Sequence, residues 1–146
     1  MIQVTNNEAQ TVAPDQNILF NQRVNSCCCG NNSAEYWRNG SGAIWLKCPG
    51  IYEVTFNGNI GGTTTGPCAC AIQVGGQTLP ETVMEVNTAA AGNLYNVACT
   101  TRFCYPGFGG GEVTVTNVEL ADATNVTLNV EAPNLTVRRI NSGVWS

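Results

Sequence analysis

The stretch Gly42–Ile60, GAIWLKCPGIYEVTFNGNI, decides the fold. Tyr52, Val54, Phe56, Gly58 and Ile60 fall on one side of an extended chain, and Glu53, Thr55, Asn57 and Asn59 on the other. That alternation is the signature of a half-buried strand, because successive side chains of a strand point to opposite faces. Upstream, Ile44, Leu46 and Cys48 alternate with Trp45 and Lys47, and Pro49-Gly50 separates the two runs.

Working outward, the same grammar recurs and no segment with helical periodicity competes with it. Ile18, Phe20, Gln22 and Val24 share a face. Cys68, Cys70, Ile72 and Val74 share another, and Gly75-Gly76 then offers a tight turn into Gln77-Thr78-Leu79. Tyr95, Val97, Cys99, Thr101 and Phe103 form a further run. GEVTVTNVEL, NVTLNVEA and NLTVRRI complete the set. Asn39-Gly40, Gly61-Gly62, Pro106-Gly107 and Gly109-Gly110-Gly111 read as turns, and Val86 to Gly92 as a loop around Ala89-Ala90-Ala91. About eight to ten short antiparallel strands imply a β-sandwich or jelly roll, all-β in class. The 146 residues are expected to form a single domain, with residues 1–16 free to extend as an N-terminal arm.

Composition narrows the classes of function. Charged residues make up 11% of the chain, against a typical ~25%, and Asn, Thr, Gly and Gln take their place. A net charge of −4 and six scattered basic residues exclude a surface able to neutralise several phosphates, so no nucleic-acid partner is expected. No apolar run approaches the ~20 residues that span a bilayer, so no membrane association is expected. The polar start MIQVTNNEAQTVAPDQ carries no signal peptide pattern. Eight cysteines nevertheless suit an oxidising exterior. Release by cell lysis or incorporation into a coat reconciles the two.

The residues quoted above also carry a family resemblance. GAIWLKCPGIYEVTF resembles the segment of the complement-globular-head and tumour-necrosis-factor superfamily in which a strand leads through Pro-Gly into an aromatic-rich strand. ILFNQRV is similar to that superfamily's Phe-Asn-x-x-Val strand. NLTVRRI is similar to the last strand of spore-surface collagen-like glycoproteins. VTNNEAQTVAPDQNILFNQRV and QTLPETVMEVNTAAAGNLYNVACTTRF resemble small proteins of Firmicutes phages and bacteria. The resemblance implies a jelly roll that assembles as a homotrimer, with no catalytic residues to carry over. The chain departs from the animal members in its cysteine load and in lacking a collagen stalk.

A Ser or Cys triad lacks its base, since the chain contains no histidine. Glu35, Glu53, Asp122 and Glu131 could supply a glycosidase carboxylate pair, but their spacing matches solvent-facing strand positions equally well. No enzyme activity and no cofactor are expected. Cys27-Cys28-Cys29 could bind a metal with Cys68 and Cys70, yet the usual Cys-x-x-Cys spacing is absent. Disulfides are the favoured reading, with Cys27, Cys28, Cys29, Cys104, Cys48 and Cys68 as candidates. Cys104, on the face opposite Cys99, is the expected partner of the triplet, and Cys70 and Cys99 are expected to be buried thiols. Asn31, Asn39, Asn125 and Asn134 lie in Asn-x-Ser/Thr triplets that arise by chance in so Asn- and Thr-rich a chain.

Trp37, Trp45 and Trp145, with Tyr36 and Tyr105, could form a sugar or receptor platform, core or subunit contact. Trp45, Ile140, Trp37 and Tyr105 are the interface candidates, since aromatics are enriched in such contacts. The expectation is therefore a non-catalytic subunit on a particle surface, a phage head-fibre or capsid-decoration protein. Its partners would be its own copies, capsid or other surface proteins, and a host-surface glycan. The alternatives are a disulfide-linked bacterial or spore appendage subunit, or a secreted receptor- or glycan-binding module.

Overall fold

A computed structural model describes residues 1–26, 35–121 and 126–141. Among the described residues twelve strands run in chain order: β1 (Ile2–Thr5), β2 (Gln10–Val12), β3 (Gln22–Ser26), β4 (Glu35–Trp37), β5 (Ile44–Leu46), β6 (Gly50–Gly62), β7 (Gly66–Val74), β8 (Gln77–Thr78), β9 (Met84–Thr88), β10 (Tyr95–Tyr105), β11 (Glu112–Val118) and β12 (Leu128–Asn141). They form two antiparallel six-stranded sheets. The first has the order β10-β6-β12-β1-β3, with β2 also on β12. The second has the order β4-β5-β11-β7-β8, with β9 also on β7. Crossovers between the sheets give a jelly-roll sandwich.

The core lies where the Gly42–Ile60 pattern puts it. β6 lies between β10 and β12, with Phe56 opposite Cys99 on β10 and Leu135 on β12. Tyr52, Val54, Phe56 and Ile60 are fully buried against Ile44, Cys70, Ile72, Val113 and Val115 of the facing sheet. Tyr52 adds a polar end to this packing. Its hydroxyl donates to the Cys48 carbonyl at 2.6 Å, its ring stacks on Phe103 at 6.1 Å, and burial pushes its pKa up to about 12. The Gly75-Gly76 turn closes the β7–β8 hairpin with φ of 62° and 82°, the left-handed conformation this tight turn requires.

Several expectations are corrected. Residues 1–16 are not an arm: β1 pairs with β12 and β3, β2 pairs with β12, and Ile2, Val4 and Val12 are buried. The run Ile18–Val24 is not one strand. Ile18 and Phe20 are buried, but this segment bridges to the second sheet, where the Ile18 amide donates to the Val115 carbonyl at 2.8 Å. The Gln10 side chain satisfies both backbone groups of Leu19, each at 2.9 Å, and so replaces a ladder there. β3 starts only at Gln22, and Val24 is exposed.

Val86–Thr88, expected as loop, belongs to β9, with Val86 opposite Cys68. The Thr88 hydroxyl accepts from the Gly62 amide at 2.8 Å and ties that strand's end into the core. Gly61-Gly62, expected as a turn, ends β6. A Cβ on Gly61 would collide with the Asn93 carbonyl, so the glycine serves close approach of backbone instead of reversal. NVTLNVEA and NLTVRRI contribute to one strand, β12, whose register slips between Glu131 and Asn134 around Ala132 at φ 51°.

Candidate functional site

The cysteines diverge from expectation. Cys48, Cys68, Cys70, Cys99 and Cys104 are free thiols, so among the described residues no bridge joins any two of them. Cys27, Cys28 and Cys29 lie outside the described residues. The geometry explains part of this: Cys68 is enclosed in the core with its Sγ 3.7 Å from Thr88 Oγ1, while Cys104 is exposed on the outer face of the other sheet, opposite Ile51. Burial pushes the Cys68, Cys70 and Cys99 thiols upward in pKa, so they pack as small hydrophobes and not as nucleophiles. Among the described residues, no group of three or more His, Cys, Asp or Glu side chains could hold a metal ion.

The carboxylates do not converge. Glu35, 3% exposed in side chain, forms an ion pair through Oε1 with the Met1 amino group, and its Oε2 has no partner. Glu53 is held by Arg102 at 3.0 Å and Arg138 at 2.9 Å. The Arg102 hydrogen bond, with Arg138 second among the groups that lower it, keeps its carboxyl below the usual carboxylate range. Glu131 is exposed and lies opposite Asn59, six residues along β6 from Glu53. At strand rise that is about 20 Å, far beyond the ~6.5–9.5 Å of an inverting glycosidase pair. Asp122 lies outside the described residues.

Both sheets turn an ordered surface outward. On the first, Thr55 and Thr100 share a hydrogen bond at 3.1 Å. Asn96 Nδ2 donates to Asn57 Oδ1 at 2.9 Å, and Gln3 Nε2 donates to Asn134 Oδ1 at 3.2 Å. A shallow groove of about 330 Å³ at one margin is lined by Gln10, Thr11, Leu94, Asn129 and Glu131, among others. On the second sheet, β5 aims Ile44 and Leu46 inward and leaves Trp45 37% exposed. Tyr36 stacks on Trp45 with centroids 6.2 Å apart and planes 12° from parallel, and Lys47 Nζ lies 5.6 Å from the Tyr36 ring centre.

The interface candidates are thereby scattered. Trp45 belongs to the second sheet and Ile140 to β12 of the first, half-buried. Trp37 is packed against the core with its Nε1 donating to the Ser41 carbonyl at 2.9 Å. Tyr105 is corrected: at 6% exposure, with its ring edge-on to Tyr52 at 6.4 Å, it is a core residue. Trp145 lies outside the described residues. Two features escaped the sequence reading. Lys47 lies over the Tyr36 ring of the Tyr36–Trp45 pair, and its signal was two-residue spacing from Trp45. Phe108, 77% exposed among the glycines of the β10–β11 loop, was read only as part of a turn.

No family model and no curated protein matches the chain. Solved structures do. The globular domain of zebrafish complement 1qA protein matches with a TM-score of 0.60 over 95% of both chains, at 14% identity. PRD1 vertex protein P5 matches at 0.54 over 96% of both chains and 14% identity. Murine APRIL matches at 0.52, covering 92% of this chain and 96% of its own, at 9% identity. The chain therefore shares the jelly-roll fold of these structures, the fold that the sequence resemblance implied. Among the described residues no helix is long and apolar enough to cross a membrane.

Proposed function

We propose that this chain is a structural, non-catalytic subunit displayed on the surface of a particle, a head-fibre or capsid-decoration protein of a phage virion. The observation that carries this reading is the end-to-end likeness to a vertex protein, over 96% of each chain. The outward surface supports it. Asn and Thr side chains hydrogen-bonded to each other line the first sheet's outer face beside the Arg102–Glu53–Arg138 ion pairs, a polar surface unlike the concave, mostly apolar pocket of a small-molecule site. In this reading the subunit forms a homotrimer through that polar face and the Ile140 end of β12, and it contacts capsid or other surface proteins at its rim.

Immunogold labelling and mass spectrometry of purified particles from a producing host test the role. The expected result is the chain at stoichiometric amounts on the particle exterior. Its absence from particles, with the chain recovered instead as a free secreted protein, overturns the reading.

A further inference from the structure

The β4–β5 hairpin presents a feature that a particle-coat role does not require. Tyr36 and Trp45 are register partners, and Trp45 is also opposite Glu112 on β11, so one row across the second sheet reads Tyr, Trp, Glu on its outer side. Tyr36 holds the indole near-parallel at 6.2 Å, which orders a large apolar ring that solvent still reaches. Lys47 and Arg38 are both exposed, one just past the end of β5 and the other just past the end of β4, and Lys47 Nζ lies 5.6 Å from the Tyr36 ring centre. Among the described residues neither is ion-paired to a carboxylate, whereas Arg102 and Arg138 are both engaged by Glu53. A chain with net charge −4 thus sets Lys47 against the ring that stacks on the indole, with Arg38 exposed two residues after that same tyrosine.

We infer that this row is a binding site for an acidic saccharide, one carrying a uronate or sialate carboxylate. An exposed, pre-ordered indole is suited to the C–H face of a pyranose, because its rigid ring supplies contact area at little entropic cost. Lys47 and Arg38 supply charge-assisted hydrogen bonds to the carboxylate. Glu112 accepts from sugar hydroxyls. The site's size and surroundings argue against a protein partner. A stable protein contact covers about 800 Å² per side around an apolar centre, while the register neighbours of Trp45 are Tyr36, already stacked on it, and the carboxylate-bearing Glu112. The inference concerns what the displayed surface binds and stands whether or not the particle is a virion.

The test uses the whole protein on a panel of uronate- and sialate-bearing oligosaccharides and their neutral counterparts, followed by titration calorimetry. Acidic glycans should bind at least about ten-fold more tightly than the neutral ones, a difference of ~1.4 kcal/mol. Trp45→Ala should abolish binding with the melting temperature unchanged, and Trp45→Phe should retain part of it. The double variant Arg38→Gln, Lys47→Met should bring acidic glycans down to the neutral level. No acidic glycan bound, equal binding of acidic and neutral glycans, or binding that survives Trp45→Ala would each overturn the inference. So would a drop in oligomer mass on Trp45→Ala, which would assign the indole to contact between copies.

Discussion

Phe56 concentrates the argument at the scale of single residues. It sits mid-strand on β6, fully buried between Cys99 and Leu135 on the flanking strands. Phe56→Ala should cost about 3–5 kcal/mol in a denaturant titration, and a loss within error of zero would contradict this packing. The thiols give a second check. Alkylation of the native protein at neutral pH should label exposed Cys104 and leave Cys70 unmodified until denaturant is added, because burial holds Cys70 protonated and out of reach. Labelling of Cys70 as fast as Cys104 would show that the β7 face has been misplaced. Phe56 and Cys70 were legible because apolar residues in strict alternation mark a buried face. Asn117 was not. It falls in phase with Val113 and Val115, is buried, and its Nδ2 donates to the Val12 and Val126 carbonyls at 3.0 and 2.8 Å. A polar residue in an apolar phase looks like an interruption until the segments it clamps are seen.

At the scale of elements, the outer row Arg102–Glu53–Arg138 crosses β10, β6 and β12 and joins the three longest strands. Folding lowers the Glu53 pKa from 4.5, so the unfolded chain takes up that proton more readily. The resulting stabilisation is present above pH 4.5 and is lost as the pH falls through the lowered folded value. Glu53→Gln should therefore flatten the acid limb of the stability curve below pH 4.5. A variant whose acid limb overlays that of the parent would show that the row contributes nothing. Long strands such as β6 and β10 were readable because their faces repeat many times. The short elements were not, since β2 spans three residues and its edge is completed by the Gln10 side chain in place of another strand. β9 was hidden by the alanine run that follows it, although its pairing with β7 depends on backbone groups that any residue supplies.

For the whole molecule, fold class followed from periodicity and turns, whereas the proposed function rests on the outer faces. Alternation identifies an outward residue but not what covers it, which is why Trp45 and Ile140 could be grouped in sequence and yet belong to different sheets. The proposed trimer makes that question experimental. Light scattering should give about three times the 15.4 kDa chain mass. Asn57 lies on the outer side of β6, one strand in from the β10 edge, where its Oδ1 accepts from Asn96. Asn57→Arg adds bulk and positive charge at a position that three-fold packing through this face would bring against a neighbouring copy. The variant should sediment as a folded monomer with an unchanged far-ultraviolet spectrum, because the substitution leaves the buried side of β6 untouched. If the parent is itself monomeric at micromolar concentration, the trimer is wrong. If both proteins are trimeric, association is real but uses another surface, and the polar ladder of the first sheet faces solvent in the assembled particle.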